Sequence, residues 1–238
     1  MRALLQHWFR AIFLYPKKTI EAGADSYERY WELRGKSAQQ LSPWQKERAD
    51  IARSFITHSP KESFTITDIG CGDGAVLSYL RTFYPNLLGK GFDFSDTVLA
   101  FTKQSGFETQ VVDFSNPETL VIPDTDYVIL FETIEHIAHA EVLVKKALAA
   151  ARKRVFISVP NTGFFTYRLR LLFGKFPAQW VDQPHEHLRF WTLEDMKWWL
   201  RALALQERAV IRPYKRVPFF GYLFPGLFSA GLVVVLKK

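Results

Sequence analysis

A single cysteine, Cys71, occurs in the 238 residues. No disulfide framework can hold such a chain, and a reducing, cytoplasmic setting fits it best. Repeats and low-complexity tracts are missing as well, and no second domain boundary stands out. Acidic side chains are absent from the opening stretch MRALLQHWFRAIFLYPKK (residues 1–18), which carries Arg2, Arg10, Lys17 and Lys18. Leu4, Leu5, Trp8, Phe9, Ile12 and Phe13 are spaced there as on one helical face, so the segment could pack on the domain as a lid or lie in a membrane interface. It is a poor secretory signal, because His7 and Arg10 interrupt the apolar run and no small-residue cleavage site follows. Charge is absent again from Val217 to Leu236, long enough to raise the question of a membrane span. Pro218, Gly221, Pro225, Gly226 and Gly231 break that run, and its end, GLVVVL, reads better as a buried terminal strand.

What is present is apolar and aromatic material, 48% and 16% of the chain, enough for one large core. From Phe64 onward, apolar runs of strand length (FTITDI, LLGKGFDF, ETQVVDF, DYVILFE, RVFISVP) alternate with helical patterns (AVLSYLRTFY, SDTVLAFTKQSG, HAEVLVKKALAAARK). Strands joined through helices imply right-handed crossovers, so the fold class is α/β, doubly wound, with a mostly parallel sheet. Asn161 to Asp182 departs from this rhythm and looks like an insertion beside the site. TLEDMKWWLRALA then restarts a helix with Thr192 as N-cap, and GKSAQQLSPWQ (35–45) reads as a hinge.

The segment TDIGCGDGAVLSYL holds Gly70, Gly72 and Gly74 between a strand and a helix. Glycines there allow a sharp turn and let backbone N–H groups approach a ligand. The spacing alone also satisfies a dinucleotide fingerprint. Asp68 argues against that reading, because an acid beside a pyrophosphate is unfavourable and one beside an ammonium is favourable. Asp93 closes the second strand, where an acid can accept both ribose hydroxyls. Asp113 and Phe114 close the third and offer an acceptor and a ring to an adenine, although Asp113 could instead cap a helix begun at Ser115. Together these describe a pocket for S-adenosylmethionine.

DIGCGDG, FDFS, VVDF, DYVILFETIEHI and RVFISVPN resemble, in order and spacing, the motifs of class I S-adenosylmethionine-dependent methyltransferases over roughly Ile51 to Asn161. The resemblance implies a seven-stranded Rossmann-like sheet with an antiparallel terminal strand. It places Asp68, Gly70, Cys71, Gly72, Asp93, Phe94, Asp113, Phe114, Phe131 and Glu132 at cofactor positions. It implies one domain over 1–238: an N-terminal helical lid (1–48), a cofactor-binding core (49–160), an acceptor-side insertion (161–191) and a C-terminal helix and strands (192–238). The stretch from Pro160 to Met196 is similar to the MetW-like group (methyltransferase type 11–12), which opens the alternative of a partner or regulatory subunit of a homoserine acyltransferase.

Methyl transfer to a hydroxyl needs a base, and histidine suits neutral pH. His136, His185 and His187 are the candidates. His136 with His139, and His185 with His187, could also offer imidazoles to a metal beside Glu135 and Glu186, but no signature links the pairs, and the expectation is no metal. The net charge of +7 favours anionic partners. Its cations are not gathered into one stripe, so nucleic acid is not expected. Tyr167, Trp180, Phe190, Trp191, Trp198 and Trp199 could stack on an acceptor, with Arg168, Arg170, Lys175 and Arg189 available to a phosphate or carboxylate. The expected acceptor is a small molecule, glycan or lipid-linked metabolite, with peripheral contact at the inner face of the membrane through residues 1–18.

Overall fold

The computed structural model describes residues 2–15, 40–177 and 187–238. Its strands are β1 (Phe64–Ile69), β2 (Leu87–Asp93), β3 (Glu108–Val111), β4 (Thr125–Phe131), β5 (Ala151–Pro160), β6 (Ala209–Arg216) and β7 (Ser229–Lys237). They form one seven-stranded sheet in the order β3-β2-β1-β4-β5-β7-β6. The pairs from β3 to β5 are parallel, whereas β7 runs antiparallel to both β5 and β6. GLVVVL lies inside β7 and is buried throughout, as its lack of charge and its β-branched residues predict. Among the described residues, no helix is long and apolar enough to cross a membrane.

Helices α1 (Arg2–Phe13), α2 (Pro43–Arg53), α3 (Ala75–Arg81), α4 (Asp96–Gln104), α5 (Ala140–Ala150), α6 (Phe165–Leu172), α7 (Leu193–Ala202), α8 (Phe220–Leu223) and α9 (Pro225–Phe228) surround the sheet. Successive strand residues point to opposite faces, so the apolar runs feed two cores. On one face Val128, Leu130, Val155, Ile157 and Val234 pack with Leu143 and Val144 of α5 and Met196 and Leu200 of α7. On the other, Ile66, Tyr127, Ile129, Phe156 and Val235 pack with Ala49 and Ala52 of α2 and Leu77 and Leu80 of α3. Each fully buried aliphatic side chain contributes about 1.5–3 kcal/mol, which is how short helices stay docked.

Three local expectations change. The hinge read over 35–45 ends in a helix start: Ser42 accepts from the Gln45 N–H at 3.3 Å and Gln45 returns the bond to the Ser42 N–H at 2.9 Å, with Pro43 in the first turn. The residues of that stretch before Gln40 lie outside the described ones. The helix expected through Lys153 stops at Ala150, because Ala151 already pairs with Thr125 of β4. Trp191 and Trp199, offered above as acceptor surfaces, are buried core residues 5.4 Å apart, and Trp199 donates to Glu141 at 2.7 Å.

Candidate active site

The glycine loop joins β1 to α3 at the carboxyl edge of the sheet. All three glycines take left-handed φ values, +75° at Gly70, +54° at Gly72 and +73° at Gly74. A Cβ on Gly70 would stand 2.5 Å from Oγ1 of Thr133, and one on Gly74 would stand 2.8 Å from Oγ1 of Thr102. No larger residue fits either place without displacing its neighbour. The loop is strapped to β2 by backbone bonds: the Gly70 and Cys71 N–H groups donate to the Phe92 carbonyl at 2.7 and 3.0 Å. The Gly72 N–H donates to Oδ2 of Asp93 at 3.0 Å. Oδ1 of Asp93 accepts from the Ser95 N–H at 3.2 Å. Asp93 is thus buried at the loop and aimed by backbone N–H groups of Gly72 and Ser95.

Asp68 is buried at the end of β1. Burial raises its pKa to about 7, with Asp93 and Asp73 adding to the rise and Arg48 opposing it. A ligand ammonium would reverse that shift, which fits the amino-acid end of S-adenosylmethionine. Burial also pushes the Cys71 thiol well above its ordinary value, helped by Asp68 and Asp93, so this cysteine is a space-filler beside the loop and not a nucleophile. Phe94 is exposed at the mouth of β2. Asp113 is exposed too and accepts from the Ser115 N–H at 2.8 Å, which lowers its pKa; the bond closes a local turn, and no helix begins at Ser115 for it to cap. Phe114 packs half-buried against the core.

The turn after β4 carries the rest. Phe131 is buried beneath the Arg48 guanidinium, 5.3 Å from its ring centre. Glu132 has a left-handed φ of +50° and accepts from Oγ of Ser158 at 2.8 Å and the Tyr214 hydroxyl at 3.2 Å, with Arg48 at 3.4 Å. Neither Tyr214 nor Arg48 was identified from the sequence. Thr133 donates to the Ile69 carbonyl at 3.0 Å, which ties this turn to the glycine loop. His136 and His187 then meet edge to face with ring centres 4.7 Å apart. Burial and the neighbouring His136 lower the His187 pKa to about 4. His139 is exposed at the start of α5, and His185 lies outside the described residues.

Helices α1, α6, α8 and α9 form a cap over the same edge. Arg170 of α6 is fully buried and spends its guanidinium on the open end of α1, donating from one Nη to the carbonyls of Ala11, Ile12 and Leu14 at 3.0, 3.3 and 2.9 Å. Lys175 adds a bond to the Phe13 carbonyl at 2.7 Å. These cations satisfy the carbonyls that a helix C-terminus leaves unpaired. Arg170 and Lys175 are therefore structural, and Arg189 is committed to Glu141; of the four basic residues offered above to a phosphate, Arg168 alone is exposed, and its Nε donates to the Gly163 carbonyl.

The profile of a methyltransferase domain matches residues 28–206, so the chain belongs to the methyltransferase-domain family. It is an S-adenosylmethionine-dependent methyltransferase, and the glycine cradle, Asp93 and Asp68 fit that cofactor. No curated protein matches the chain. Among solved structures, a SAM-dependent methyltransferase from Archaeoglobus fulgidus aligns over 88% of this chain and 100% of its own, with 16% identity and a TM-score of 0.60. The small RNA methyltransferase HEN1 aligns over 94% of this chain and 27% of its own, at 21% identity and a TM-score of 0.60. Magnesium protoporphyrin IX methyltransferase from Synechocystis PCC 6803, with bound SAH, aligns over 100% of both chains at 14% identity and a TM-score of 0.59. These likenesses show a shared fold. They do not single out the MetW-like group, and nothing in them supports the acyltransferase-subunit alternative.

Proposed function

We propose that the protein O-methylates a small-molecule, glycan or lipid-linked acceptor that enters under the helical cap at the inner face of a membrane. The observation that carries this reading is the cap's apolar rim, in which Phe9, Leu172, Phe173, Phe219 and Tyr222 are each more than half exposed (57%, 75%, 53%, 68% and 73%). The helices beneath are joined ring to ring, through Phe13–Phe173, Trp8–Phe165, Phe165–Phe228 and Phe220–Phe228. Clustered apolar exposure of this kind marks a docking surface. With Arg10, Lys17 and Lys18 nearby in sequence and no acid before Glu21, the occupant we favour is an anionic bilayer.

When bound, S-adenosylmethionine supplies an activated sulfonium methyl. The chain's part is to hold it through the glycine loop, Asp93 and Asp68, to align the acceptor, and to take the hydroxyl proton. His136 is the group we assign to that proton, since His187, with its pKa near 4, is a weak base at neutral pH. The neighbours named above act on acceptors as different as small RNA and magnesium protoporphyrin IX, so the fold does not choose among acceptors.

The test is to incubate the full chain and methyl-labelled S-adenosylmethionine separately with a membrane-lipid extract, an aqueous metabolite extract and RNA. Label in the lipid fraction is expected; label in RNA alone would overturn the reading. A chain beginning at Asp25 that bound anionic vesicles as well as the full chain does would remove the membrane component.

A further inference from the structure

No sequence signature links the two histidine pairs, yet the fold sets Glu135 and His136 beside His187. We propose that Glu135, His136 and His187 form a site for one divalent first-row transition cation on the acceptor side of the cofactor pocket, with coordination positions left open to an acceptor oxygen.

Geometry comes first. One ligand atom from each residue lies within 4.8 Å of the others. Around an ion with bonds of about 2.0–2.2 Å, ligand atoms stand about 3.3 Å apart, so a contraction of roughly 1.5 Å completes the set. The cluster is also anchored: the Leu188 and Arg189 N–H groups both donate to the Glu135 carbonyl, at 2.9 and 3.0 Å, which fixes the His187 segment on the turn that bears the other two ligands.

The second observation is polar groups left without partners. Glu135 is 1% exposed, and neither carboxylate oxygen has a hydrogen-bond partner among the described residues. Nδ1 of His187 is buried and has no partner there either. A buried carboxyl with nothing to bond costs several kcal/mol. The nearby guanidinium of Arg48 attracts this carboxyl but makes no hydrogen bond to it; it pairs with Glu132 and lies over the face of Phe131. A cation answers the carboxylate and the imidazoles together.

Ligand chemistry narrows the ion. Two imidazoles with one carboxylate suit zinc, manganese, iron or cobalt, whereas magnesium and calcium prefer oxygen ligands throughout. Three protein ligands are the number at which a site keeps room for an exogenous oxygen. The His136 side chain is 35% exposed, so the cluster opens to one side. Thr133, two residues before Glu135, contacts the glycine loop, so the cluster sits on the turn beside that loop. The site deepens the O-methylation reading and rests on it for the acceptor oxygen alone: with the cation bound, His136 is a ligand and no longer the proton acceptor assigned above, and the cation takes over that part by lowering the pKa of a coordinated hydroxyl, whose proton passes to solvent; cation binding itself does not depend on it.

The experiment uses the full chain freed of metal by chelator. Co²⁺ is added and followed by visible absorption, and Zn²⁺ and Mn²⁺ are titrated calorimetrically. Glu135→Gln and His187→Asn run in parallel, and S-adenosylhomocysteine titration serves as the fold check. Uptake of one Co²⁺ per chain with visible bands is expected, weakened about tenfold or more in each variant, while S-adenosylhomocysteine affinity stays within about twofold. Absence of stoichiometric uptake, or uptake unchanged in both variants, overturns the site. Should Glu135→Gln fail the fold check, His187→Asn decides alone. Loss of S-adenosylhomocysteine binding by the wild-type chain would instead strike the methyltransferase reading and leave the metal result standing.

Discussion

The glycine loop and the helical cap face each other across one edge of the sheet, and they are held by different means. The loop is fixed by bonds to the adjacent strand: Gly70 and Cys71 to the Phe92 carbonyl, and Gly72 to Asp93. The cap is fixed by side chains that reach backbone far away in sequence, Arg170 and Lys175 to the end of α1. One region is thus specified by residue type at short spacing, the other by a long-range match that no window of sequence contains. A cofactor held in one pose suits the first kind of fixing, and under the function proposed above an acceptor that comes and goes suits the second.

The sharpest way to break the comparison is Gly70→Ala. The added Cβ meets Thr133 at 2.5 Å from a left-handed backbone, so a loss of about 3 kcal/mol or more is expected. S-adenosylhomocysteine affinity should fall at least a hundredfold by calorimetry, with thermal melting reporting the stability. Next comes Arg170→Ala, which releases four carbonyls, those of Ala11, Ile12, Leu14 and Phe176, and leaves a cavity at the cap. About 2–4 kcal/mol of local stability should go, seen as protease cleavage near α1, with S-adenosylhomocysteine affinity kept within about twofold. If that affinity collapsed as well, the two regions would be one cooperative unit and the contrast would fail.

Asp68 supplies a prediction in pH. Its folded pKa, about 7, stands above the ordinary 3.8, so the folded protein binds the extra proton. Stability therefore declines as pH rises from about 4 to about 7 and is flat beyond. Asp68→Asn should flatten that slope, with a gain on the order of 2–4 kcal/mol at pH 8. Cofactor affinity should move the opposite way, strengthening about tenfold from pH 6 to pH 8 in the wild type and not in the variant, because the ammonium selects the charged carboxylate. The smallest expected effect is Trp198→Ala. That side chain is 62% exposed, against 6% for Trp199, so its loss should change melting by no more than about 0.5 kcal/mol, while Trp199→Ala should cost about 3 kcal/mol or more.

The same contrast explains what could be read in advance. Gly70, Gly72, Gly74 and Asp93 stood out because turn geometry demands their residue types, and β7 because nothing else in an α/β chain is so uniformly apolar. The capping box at Ser42 and Gln45 was visible too, but Ser, Pro and Gln also signal loops, and the hinge reading took precedence. Arg170 looked like a phosphate ligand because a cation near a site is ambiguous until its partners are known; here they are carbonyls of the N-terminal helix. Tyr214 and Arg48 went unnoticed because they reach Glu132 from β6 and α2, elements that carry no motif. The meeting of Glu135, His136 and His187 depends on how the chain returns from the insertion, which local pattern does not encode.

The Arg170 clamp has a consequence in time. Some 158 residues separate Ile12 from the arginine that ties it down. At a synthesis rate of about 5–20 residues per second, α1 leaves the ribosome roughly 8–30 seconds before its anchor exists. Throughout that interval the carbonyls of Ala11, Ile12 and Leu14 lack the cation that later binds them. The cap is therefore assembled late, when α6 arrives, although α1 precedes every strand in the chain.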